Sequence, residues 1–115
     1  MAAHAAEPDA VVPPMPERTP KALREAIAEH APQLLPDFDE HWKWAIADAY
    51  DLGPVPAFMA RWWTEFALVR DPELDRRVLG LEAEAADADD SATAMALLEQ
   101  AAHLRREAGK AEPGQ

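Results

Sequence analysis

The stretch Val55 to Arg70 gathers two of the four tryptophans and two of the three phenylalanines of the chain. Read as a helix, it places Val55, Phe58, Met59, Trp62, Phe66 and Val69 on one broad stripe. Steps of three and four are the spacing of a core-facing helical surface. Trp63, Ala67 and Arg70 run beside the stripe, which makes the apolar arc wide enough to meet neighbours on two sides. Such a segment has to sit in the middle of something. The expected fold is therefore all-α, a small bundle of about five helices with this one at its centre.

Composition agrees. The chain has 115 residues, enough for one domain with one core. It is alanine-rich and poor in β-branched runs, which favours helix over strand. Eleven prolines and four glycines punctuate the sequence. The proposed division is a disordered Pro/Ala-rich arm over 1–18, a helical domain over 19–109 and a frayed tail over 110–115. Pro8, Pro13, Pro14 and Pro16 keep the arm out of regular structure.

The helix boundaries follow from caps and breaks. Thr19-Pro20 opens a first helix with Leu23, Ala26, Ile27 and His30 on its inner face, stopped before Pro32. A second helix is expected from Pro36 to Asp51, with Leu35, Phe38, Trp42, Ala45, Ile46 and Ala49 buried and Gly53 as its stop. Asp71-Pro72 starts a fourth helix on a narrow seam of Leu74, Val78, Leu81 and Ala85. Gly80 weakens that helix, and close contact with a neighbour would explain it. Asp90 or Ser91 caps a fifth helix, which buries Ala94, Leu97, Leu98, Ala101, Leu104 and Ala108, and Gly109 is its expected C′ residue. The short link between the last two helices implies an antiparallel pair.

Charge narrows the partners. The formal net charge is -11, and both halves are acidic: 10 acids and 4 bases in 1–57, 12 and 7 in 58–115. Phosphate backbones and anionic lipid surfaces are bound through Lys and Arg, so nucleic acid and membrane are poor partners for this chain. A basic protein is the partner class that the charge favours, mainly through association rate. The N-terminal residues lack a basic n-region and no apolar run approaches the length of a bilayer span, so the expected location is cytoplasmic.

Chemistry-bearing motifs are sparse. There is no cysteine, one serine and no glycine-rich phosphate loop. Asp37 and His41 share one helical face, but two ligands do not make a zinc site. No catalytic residue, cofactor or metal is assigned. Trp44 lies two residues beyond Trp42, which puts it on the far side of the second helix, near His41 and Asp48. Interface anchors are enriched in Trp. Trp44, His41, Asp48, Trp63 and Arg61 are the candidate partner-binding residues, with Arg61 able to stack on an aromatic ring or pair with Glu65. A homo-oligomer is compatible with the same features.

The runs Glu17 to Arg24, Phe38-Asp39 through Trp42, and Pro54-Val55-Pro56 followed by Arg61-Trp62-Trp63 resemble a family of small uncharacterised helical proteins, a domain of unknown function from GC-rich bacteria. Some relatives resemble the antitoxin side of toxin–antitoxin pairs. The resemblance implies a helical fold and supplies no catalytic residue. Taken together, these features lead to the expectation of a non-enzymatic acidic protein-interaction module, antitoxin-like or regulatory. The alternatives are a helix-turn-helix regulator, with the central helix as recognition helix, and an accessory subunit of an enzyme.

Overall fold

The computed structural model describes residues 11–115. Five α-helices carry the fold: α1 Pro20–His30, α2 Leu35–Trp42, α3 Val55–Val69, α4 Pro72–Asp87 and α5 Ser91–Ala108. A 3₁₀ turn, Pro32–Leu34, joins α1 to α2, and a π-helical segment, Lys43–Ala47, continues α2. No strand occurs among the described residues. The expected all-α bundle is the observed architecture.

Three of the five helices, α1, α4 and α5, start at a side-chain cap. Thr19 Oγ1 accepts the Ala22 N–H at 3.1 Å, with Pro20 in the first turn. Asp71 Oδ1 accepts the Leu74 N–H at 3.2 Å ahead of Pro72. At α5 the cap is Asp90, whose Oδ1 accepts the Thr93 N–H at 2.7 Å, and Ser91 is the first helical residue. That bond to a backbone donor also holds the Asp90 carboxyl below its ordinary value.

α3 occupies the centre, as its wide apolar arc requires. Phe58, Met59, Trp62, Trp63, Phe66, Ala67 and Leu68 are all buried along it. One side closes over Leu23 and Ile27 of α1, Phe38 of α2 and Ile46 of the π segment. Aromatic edges meet there: Phe38 packs on Phe58 at 4.9 Å and on Trp62 at 5.6 Å between ring centroids, both nearly perpendicular. The other end of α3 meets the α4–α5 pair through Leu68, Val78 and Ala101. Arg105 on α5 binds both Glu82 oxygens, at 3.0 and 3.1 Å, and approaches Glu65 of α3 at 3.8 Å, so three helices share one ion cluster.

Several expectations are corrected. The arm was expected to be disordered through residue 18, yet within residues 11–18, which form no regular secondary structure, Met15 packs on the body. Met15 is only 3% exposed, its N–H donates to Gln115 O, and its carbonyl accepts from the Gly114 N–H. The expectation for residues 1–10 lies outside the described residues. The tail at 110–115, expected to fray, supplies the other half of that pairing, and Arg70 Nη1 donates to both Pro13 O and Gln115 O. The physical reason is shared: Met15 and Ala111 complete the cover over α3, and Arg70 ties the two terminal segments together.

Two glycines exchange roles. Gly80 was assigned close packing, yet a Cβ there would meet nothing within 4 Å. Gly109, expected as the C′ residue of α5, follows its last helical residue with φ -67° and so does not use the left-handed conformation common at that position. Its need is steric instead, since a Cβ there would stand 2.5 Å from Thr64 Oγ1. His30, expected on the inner face of α1, is exposed at the helix end, with its ring 6.4 Å from Phe66. Leu98, expected in the buried stripe of α5, stands about half exposed.

Candidate protein-interaction face

α2 does not continue to Asp51 as a single α-helix. It widens into the π segment after Trp42 and then stops in a turn. π-turns within helices concentrate at functional positions. Here the widened turn keeps Ile46 buried while it presents Trp44 to solvent, 62% exposed.

The stop itself is unusual. The Asp51 N–H donates to Ile46 O and the Tyr50 N–H donates to Ala47 O, the paired bonds of a Schellman cap. Its left-handed position is normally glycine, but Tyr50 occupies it with φ 51°. A side chain there costs roughly 1–2 kcal/mol. The tyrosine recovers nothing by packing, because it is 96% exposed. Leu52 follows, 75% exposed, before the Asp51 carboxylate accepts the Gly53 N–H at 2.8 Å and closes the turn. Three large apolar side chains thus stand in water within nine residues, and backbone strain persists at one of them. Strain of this kind collects at binding and switch sites.

His41 links this surface to the core. Its ring lies 5.1 Å from Trp44 and 5.0 Å from Phe58, and its Nδ1 accepts the Trp62 Nε1–H at 2.9 Å. Accepting on Nδ1 places the ring proton of the neutral imidazole on Nε2. Arg61 lies with its guanidinium 4.7 Å over the Trp62 ring, so of its two expected partners it takes the aromatic and not Glu65. Asp48 pairs with Lys43 at 2.9 Å across the π segment, an exposed pair of small energetic weight.

Of the expected residues, the structure therefore brings Trp44, His41 and Arg61 into one aromatic chain through Trp62, with Asp48 at the edge of the same segment. Trp63 is a correction. It is 1% exposed, its Nε1 donates to Ala111 O at 2.9 Å, and the Arg18 guanidinium covers its ring at 4.1 Å. The arm and the tail cover it, so it is core and no partner can reach it. Tyr50 and Leu52 were missed. The available signal was slight: both are apolar and neither falls on the buried stripe of the expected second helix, just before the break at Gly53-Pro54.

Among the described residues, no group of three or more His, Asp or Glu is placed to hold a metal ion, and no helix is long and apolar enough to cross a membrane. No curated protein and no solved structure matches the chain. A family model does match, described as a family of unknown function, DUF6247, over residues 11–108. That span begins with the segment ahead of α1 and ends with α5, so the match takes in the whole helical body, and the chain belongs to the DUF6247 family.

Proposed function

We propose that this chain is a non-enzymatic protein-interaction module that docks a basic partner protein on the face formed by Trp44, Tyr50 and Leu52. The observation that carries the reading is the exposure of these three side chains on the π segment and the strained turn after it, next to a core that does not need them. Trp and Tyr are the residues that most often anchor interfaces, and contiguous exposed apolar groups mark binding surfaces. Charge supplies the class of partner. Residues 37–51 hold Asp37, Asp39, Glu40, Asp48 and Asp51 against Lys43 alone, so a basic surface is attracted and an acidic one repelled.

An antitoxin-like or regulatory role in the bacterial cytoplasm is the specific form of this reading, and it rests on the family resemblance. The helix-turn-helix alternative has less support. α3 would be its recognition helix, yet α3 carries most of the core, and the Arg61 it exposes is already stacked on Trp62. No observation favours the accessory-subunit alternative.

The test is a pull-down from the native host with wild-type protein and Trp44→Ala as paired baits. One basic protein retained stoichiometrically by wild type and lost by the variant is the expected result. Equal retention by both baits, or retention of DNA at moderate salt, would overturn the reading.

A further inference from the structure

The α4–α5 pair is closed at one end by residues 88–90 and held near the other by α3, where Leu68 meets Val78 and Ala101. Nearer the closed end the cover is thin. Leu81 and Leu97, at core-facing steps of the two helices, are only partly buried, and Leu79, Met95 and Leu98 stand about half exposed or more. Two antiparallel helices share one seam, so an apolar side left over needs a third element to cover it.

The three exposed side chains share one side of the pair. Leu79 is three residues before Glu82, Met95 three before Leu98, and Leu98 seven before Arg105, all same-face steps of a helix. Arg105 binds both Glu82 oxygens, so the two flanks adjoin. Glu65 of α3 approaches the same arginine at 3.8 Å. This side is therefore the one that α3 covers at the open end and leaves bare toward the closed end.

Charge indicates what would cover it. From residue 78 to residue 104 the chain has six acids, Glu82, Glu84, Asp87, Asp89, Asp90 and Glu99, and no Lys or Arg. Arg105 and Arg106 hold Glu82 and Glu99, whereas Glu84, Asp87 and Asp89 pair with no base among the described residues. A second copy would bring the same acids against these and be repelled, as would nucleic acid and anionic lipid.

We infer that the bare side of the α4–α5 pair receives a basic amphipathic helix of a partner protein. The apolar stripe of that helix lies on Leu79, Met95 and Leu98, and its Lys and Arg residues face the acids around the closed end. The face shares no residue with Trp44, Tyr50 and Leu52, so it stands or falls independently of the proposed function.

The probe is a labelled helical peptide of about 18 residues, with leucines on one stripe and lysines elsewhere. Its binding to the full chain is followed by fluorescence anisotropy, beside a peptide of the same composition in scrambled order. Saturable binding of the striped peptide, at least about tenfold tighter than that of the scrambled one, is expected. Met95→Gln and Leu98→Gln should each weaken it about tenfold. Both side chains are exposed, so the thermal midpoints should stay close to wild type. Glu84→Gln with Asp87→Asn should flatten the salt dependence. Trp44→Ala should leave the affinity unchanged. Equal binding of the two peptides would overturn the inference. So would weakening by Trp44→Ala while Met95→Gln and Leu98→Gln are silent, since the peptide would then occupy the other face. A wild-type dimer in sedimentation equilibrium that Leu98→Gln converts to monomer would also overturn it, by making a second copy the occupant.

Discussion

His41 is the residue on which core and surface meet. Its Nδ1 is the acceptor for the buried Trp62 indole N–H, and its ring supports Trp44. His41→Phe keeps the ring but leaves the indole donor unpaired, which should cost about 1–3 kcal/mol. His41→Gln, which restores an acceptor, should recover part of it; urea midpoints of the two variants provide the comparison. Met15 makes a second point at this scale. It is a buried side chain in a segment without regular structure, and its backbone joins the tail. Met15→Ala should cost about 2–5 kcal/mol, the range for truncating a buried aliphatic chain. A midpoint within error of wild type would show that the arm is not part of the core. Four prolines within 8–16 argue for disorder, and a lone methionine carries no periodicity, so its burial was not legible in the sequence. Burial at that position depends on a tail about 100 residues away in the chain.

Helix starts were the most legible elements because their chemistry is local. Thr19, Asp71 and Asp90 cap where a short polar side chain precedes or sits beside a proline or an apolar period. Helix ends and glycines were less so, because neighbours decide them. Gly80 faces open space and Gly109 faces Thr64, and nothing in either sequence context distinguishes the two. Gly80→Ala should therefore stabilise the fold by about 0.5–1 kcal/mol, and Gly109→Ala should destabilise it through the clash with α3. Thermal midpoints moving in the same direction for both would contradict this packing. The turn after the π segment yields an opposite pairing of stability and function. Tyr50→Gly should raise stability by roughly 1 kcal/mol by relieving the left-handed strain. The same substitution should weaken capture of the partner, since strain of this kind is retained where the side chain is needed. A destabilised Tyr50→Gly, measured by chemical denaturation, would mean that the tyrosine contributes to the fold.

Across the whole molecule, the large apolar side chains fall into two sets. One set closes around α3 and was legible from the period of that helix, Trp62 included. Trp63 joined that set only because two terminal segments fold over it, which no local pattern announces. The other set, Trp44, Tyr50 and Leu52, stands outside the core on the π segment and on the turn after it, where Tyr50 has positive φ. Trp44 was legible from its phase relative to Trp42; its two companions were not, because they lie in a turn after the π segment, where no helical period applies. That the two sets are energetically separate is the central claim, and parallel urea unfolding of Trp44→Ala and Trp62→Ala tests it most directly. Trp62→Ala should lose about 3–5 kcal/mol, a large share of a domain's stability. Trp44→Ala should remain within about 0.5 kcal/mol of wild type, as expected for a surface substitution. A loss on Trp44→Ala comparable to that on Trp62→Ala would place Trp44 in the core and contradict the account.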